Sequence, residues 1–124
     1  MPAKVENLRN DIRELMKKGG FNEVVDRCHL ELTMARRERQ REVEITALLG
    51  LADAQCSLGH FGFARDYATQ SVELSLRIRA TGLHVDALNI RARVAREGYL
   101  QTTEAHQDYM DAVNFAHEAG DMRR

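Results

Sequence analysis

The sequence predicts an all-α fold of three helix–turn–helix units in one domain, and three observations predict it. Pro2 is the sole proline in 124 residues, whereas a β-sandwich or a βαβ chain needs far more turn punctuation. Glycine recurs at a nearly fixed interval, at Gly19, Gly59 and Gly98. Between those glycines apolar residues return every three or four positions, the period of one helix face.

The first segment carries Val5, Leu8, Ile12, Leu15 and Met16, and stops at Lys17-Lys18-Gly19-Gly20. Phe21, Val24, Val25, Cys28, Leu32 and Ala35 then continue at helical spacing. From about Val43 to Leu58 the chain is apolar nearly all round, as a helix buried on most of its circumference must be. Its partner runs from Phe61 to about Ala80 through Ala64, Tyr67, Ala68, Val72, Leu76 and Ile78. The third pair covers Leu83 to Glu97 and Leu100 to about Ala119, either side of the stop Arg96-Glu97-Gly98-Tyr99-Leu100. Arg39-Gln40-Arg41 and Thr81-Gly82 mark the turns between pairs, giving units of about 5–40, 42–80 and 83–119. Connections this short force neighbouring antiparallel helices.

Composition narrows the function. Hydrophobic residues are 44% and charged residues 30% of the chain, which fits a globule with a core and excludes general disorder. The net charge of −1 comes from 18 basic and 19 acidic residues interspersed along the chain. Nucleic-acid binding shows as a basic excess on one face, so no nucleic-acid partner is expected. No apolar run approaches the roughly 20 residues of a membrane span. The polar start Met1 to Asn7 lacks a signal-peptide core. Cys28 and Cys56 sit inside helical stretches as small hydrophobes, so a cytoplasmic, reducing setting is expected.

The residues offer little to chemistry. Cys28 and His29 point about 100° apart on a helix, and Gly59 breaks the helix between Cys56 and His60. No Cys-x-x-Cys or His-Glu-x-x-His occurs, so neither a metal nor another cofactor is expected. A reactive cysteine needs an electropositive, partly open site, and Cys56 lies in the most apolar helix. The glycines form no phosphate loop. The expectation is a protein that is not an enzyme. The run Arg36, Arg37, Arg39 and Arg41 reads first as a helix end whose cations offset the dipole terminus, with binding of an acidic partner segment as the alternative.

The middle unit resembles the tetratricopeptide repeat, in which a large residue is followed by Leu-Gly three and four places on, then by another large residue. Leu48, Leu51, Ala52 and Gln55 take those places, with Gly59, Phe61 and Ala64 following in the family's order. Two closely crossing helices leave space for only a methyl group at Ala52 and Ala64. The first unit has Leu8, Ile12, Leu15, Gly19, Phe21 and Val24 in the corresponding places. The third has Ala87, Ile90, Arg91, Val94, Gly98, Leu100 and Thr103. Arg91 at the small-residue place departs from the pattern, and implies a wider crossing or a register one residue away. The period near 40 resembles the longer-helix repeats of rapsyn and of the Leu-Gly-Asn-rich polarity adaptors. The resemblance covers about Leu8 to Asp121.

That resemblance implies a right-handed α-solenoid of three hairpins, acting as a scaffold or adaptor that binds a protein or peptide partner. The first helix of each pair lines the concave wall of such a stack. Thr46, Leu49, Asp53 and Cys56, then Val85, Leu88, Asn89, Ala92 and Arg96, are the candidates to face the groove. Asn89 is the sole asparagine on that wall and lysine is absent from Leu48 onwards, which disfavours a clamp for chaperone C-terminal carboxylates. The second expectation is a self-associating module. Each hairpin buries its apolar side on the next, and the chain stops where a further repeat would begin. Part of Tyr109, Met110, Ala112, Val113 and Ala116 is therefore expected to remain open on the last helix, to be covered by a second copy or by a further repeat of a longer array.

Overall fold

The structure is a computed structural model that describes the backbone of residues 3–99 and 102–122 and the side chains of 3–99 and 106–120. All six elements among these residues are helices: α1 (Ala3–Lys17), α2 (Phe21–Glu38), α3 (Arg41–Ser57), α4 (Phe61–Arg77), α5 (Thr81–Tyr99) and α6 (Thr102–Met122). Each helix packs on the next, and α1, α3 and α5 also touch in a row. Successive helices are antiparallel: Phe61 at the start of α4 meets Gly98 at the end of α5, and Ser75 near the end of α4 bonds His84 near the start of α5.

The four described turns repeat one another. Gly19, Arg39, Gly59 and Arg79 are evenly spaced along the chain, and all adopt the left-handed conformation with φ of 77°, 56°, 82° and 58°. In each turn the following N–H closes onto the carbonyl five residues back: Gly20 onto Leu15, Gln40 onto Ala35, His60 onto Gln55 and Ala80 onto Ser75. This is the six-to-one bond that satisfies orphan carbonyls at a helix end. Glycine holds two of these positions because it has no Cβ to clash at positive φ. Arginine holds the others at a conformational cost.

The repeating step is therefore one helix and one left-handed turn, and this corrects the third unit. Gly98 is not a turn residue. It lies within α5, where Phe61 packs against its bare backbone, and Tyr99 is still helical. Leu100, assigned to that stop, and the side chain of Thr103 lie outside the described residues. Thr81 and Gly82 open α5 instead of forming a turn, and α4 ends at Arg77, ahead of the turn at Ile78–Ala80. Shifting the middle unit forward by the interval from Arg39 to Arg79 places Ala92, not Arg91, opposite Ala52. Ala92 and Ala52 are both fully buried, and Arg91 instead makes a bidentate pair with Asp108 of α6 at 2.9 and 2.8 Å.

The core follows the same register. Val24, Cys28, Leu32 and Ala35 of α2 are buried, as are Ala64, Ala68, Val72 and Ser75 at the matching places of α4. The central helix α3 is covered on nearly every side, from Val43 through Ala52 without interruption. Gly50 shows how tightly it is held, since a Cβ there would stand 2.5 Å from Cys28 Sγ and 2.8 Å from Ile12 Cδ1.

Candidate functional site

The row α1, α3 and α5 frames a groove of about 440 Å3. Its apolar surface comes from Ile12 and Met16 of α1, Leu49 and Gly50 of α3 and Ile90 of α5. Charged groups rim it, with Arg9, Arg13 and Lys17 on α1 and Asp53 and Asp86 across from them. The helical repeat explains the placement. Thr46, Leu49 and Asp53 share one face of α3, and the even spacing of the turns carries that face back to Arg9 and Arg13 and forward to Asp86, Asn89 and Arg93.

Ion pairs tie the walls together. Arg9 of α1 reaches Asp86 of α5 at 3.5 Å, spanning α3 between them. Arg93 of α5 pairs with Asp53 of α3, and also donates to Ser57 Oγ at 3.2 Å and to Glu97 at 2.9 Å. Burial pushes the carboxyl groups of Asp53 and Asp86 above the usual range, against the pull of Arg93 and Arg9 respectively. Beside this cluster Cys56 Sγ donates to Glu97 at 3.2 Å. That bond holds the Glu97 carboxyl low. Burial, then the same bond, pushes the Cys56 thiol up to about 12. Burial likewise pushes Cys28 up to about 12, so both sulfurs are protonated thiols near neutral pH. Among the described residues no group of three or more His, Cys, Asp and Glu is placed to hold a metal ion.

Of the groove candidates read from the sequence, Thr46, Leu49, Asp53 and Asn89 line this groove together. Thr46 is buried, its hydroxyl donating to the Glu42 carbonyl at 2.8 Å. Val85 packs into the main core. Ala92 is a correction: it has no exposed surface and packs on Ala95 and Tyr109, towards α6. Arg96 faces the same way, donating to the Tyr109 hydroxyl at 3.1 Å. Both placements follow from the two-helix offset, which puts Arg93 and not Ala92 level with Asp53. The α1 wall was missed altogether. Its signal was the period itself, since Arg9 and Arg13 stand one full repeat before Leu49 and Asp53.

On α6, Ala112 is buried in the core and Tyr109 is partly covered, whereas Met110, Val113 and Ala116 are exposed. Arg36 and Arg41 of the basic run both bond Glu44. No helix among the described residues is long and apolar enough to cross a membrane. No protein-family model matches the sequence, and neither a curated protein nor a solved structure matches it.

Proposed function

We propose that this chain is a tetratricopeptide-like stack of three hairpins, wound as a right-handed solenoid, that works as a cytoplasmic adaptor. It holds a segment of a partner protein on its concave side and carries out no catalysis. The observation that supports this reading is the groove along α1, α3 and α5, an apolar floor between charged walls. Grooves of that make-up suit a partner's apolar side chains, while the rim sets orientation. The buried, protonated cysteines supply no nucleophile to the groove.

Asn89 is exposed on the groove wall, so Asn89→Tyr fills the space without disturbing the core. A partner captured from lysate and then purified should bind this variant about tenfold more weakly, the loss expected at the centre of an interface. Equal affinity for the two proteins would sink the groove reading.

A second reading, self-association, rests on α6, where Met110 is 44% and Val113 is 59% exposed, one turn apart. A stripe of that kind suits a two-fold interface. Sedimentation over a wide concentration range, with and without Val113→Glu, separates the readings. A monomer at every concentration removes the second one.

A further inference from the structure

We infer that the groove takes a partner segment with apolar anchors and a row of carboxylates facing α1, and that Asp86 holds the place of one carboxylate until it arrives. The inference rests on the groove being the binding site. Arg9, Arg13 and Lys17 are spaced by four residues on one wall, so their cations form a line along the groove. The groove's own acids do not match that line. Asp53 is engaged by Arg93, and Asp86 by Arg9. Among the described residues Arg13 has no ion-pair partner, and the contact of Lys17 is to Glu14 of its own helix at 3.6 Å, with both side chains mostly exposed. Ile12 and Met16 lie beside these cations, and Leu49 and Ile90 beyond them. An incoming chain therefore meets apolar surface with a cationic edge, and acidic groups on its flank complement that edge.

The Arg9–Asp86 pair is a strap across this surface. It joins α1 to α5, two helices that do not pack on each other. Its side chains remain 33% and 40% exposed, so a competing carboxylate can reach the Arg9 guanidinium. Asp86 also loses hydration in the pair, and burial raises its pKa. Exchanging Asp86 for a ligand carboxylate keeps Arg9 neutralised, and releases Asp86 to water as the groove fills.

The test uses three fluorescein-labelled amphipathic peptides of about 15 residues, the length at which a helix begins to hold. They share leucine anchors and carry glutamate, glutamine or lysine along one flank. Anisotropy at low salt should rank the glutamate peptide first and the lysine peptide last. Asp86→Asn should tighten the glutamate peptide about fivefold, the size of one part-exposed ion pair, and leave the glutamine peptide unchanged. Arg13→Glu with Lys17→Glu should put the lysine peptide first. Equal binding of glutamate and glutamine peptides, both weakened by Asn89→Tyr, would overturn this inference and leave the groove reading in place. Binding that Asn89→Tyr leaves intact would overturn both. Failure of all three peptides to bind overturns the inference alone, since capture of a natural partner tests the groove separately.

Discussion

The Phe61 ring of α4 lies on the bare backbone of Gly98 in α5, so close that a Cβ at Gly98 would stand 2.6 Å from the ring Cγ and 2.8 Å from the Phe61 Cβ. Inside a helix, alanine is normally favoured over glycine by about 1 kcal/mol. Here the clash opposes that gain, and overpacking costs about 1–3 kcal/mol. Gly98→Ala should therefore lower stability in urea unfolding. Gly62→Ala, in the first turn of α4 with open space around its Cβ, should instead stabilise by up to about 1 kcal/mol. If Gly98→Ala is stabilising, this contact is looser than the structure has it.

That contact also explains where the sequence misleads. A glycine standing one place short of a full repeat after Gly59 looks like the next turn, but its reason is packing, and the register of α5 slips by one when it is used as a marker. Gly19 and Gly59 were legible because positive φ at a helix end selects glycine. Arg39 and Arg79 perform the same turn without any residue signature. Thr46, Leu49, Asp53 and Asn89 could be read from helical spacing together with the repeat resemblance, which says which helices line the concave wall. Arg9, Arg13 and Lys17 needed the repeat interval as well, because a solvated helix face and a groove wall have the same charged residues and differ only in what stands opposite. The Arg91–Asp108 pair joins two helices that the sequence leaves unaligned.

The repeated turns give opposite predictions at matched positions. Gly59→Ala places a Cβ at φ of 82° and should cost about 1–2 kcal/mol. Arg79→Gly removes that same cost from a residue at φ of 58°. The gain is partly cancelled by the greater backbone freedom of glycine in the unfolded chain, about 0.5–1 kcal/mol. A net stabilisation of about 0.5 kcal/mol is expected, and Arg39→Gly should behave alike. Thermal unfolding of the three variants checks this, and destabilisation by either arginine change would count against the left-handed turns.

Ala64 has no exposed surface and sits among Cys56, Val94, Phe61 and Ile90. Ala64→Leu should destabilise by about 1–3 kcal/mol, because the added atoms force backbone shifts at a close crossing. Ala80, partly buried in the turn ahead of α5, should accept leucine at much lower cost. Equal losses in urea unfolding would contradict the packing assigned to α4.

The carboxylate of Asp108 is nearly buried, and both its oxygens accept from Arg91. Arg91→Met removes that two-pronged partner while keeping the aliphatic length. The pair is part-buried, with Arg91 27% exposed, so stranding the Asp108 carboxylate should cost about 1–3 kcal/mol. The loss should centre on the α5–α6 contact, so amide exchange in α6 should accelerate before that in α3. Asp108→Asn with Arg91→Met should recover part of the stability, since no buried charge is then stranded. A single variant with unchanged exchange in α6 would show that the pair does not hold the last helix.

His84 is 4% exposed, hydrogen-bonded through Nδ1 to Ser75 Oγ at 2.9 Å, with its ring 4.6 Å from that of Phe115. Three helices thus meet on one imidazole. Burial lowers its pKa below the usual 6.5, the first of several influences. The nearby Val72 backbone opposes that shift, Arg91 adds to it, and Asp111 on α6 opposes it. The sign follows from proton binding: the unfolded imidazole takes a proton more readily than the folded one. Stability is fully present above the unfolded pKa of about 6.5, and declines as pH falls towards the folded pKa. His84→Gln should flatten that decline between pH 7 and pH 5. Urea midpoints at matched pH values provide the measurement. An identical slope in the two proteins would show that His84 does not carry the acid sensitivity of the α4–α5–α6 junction.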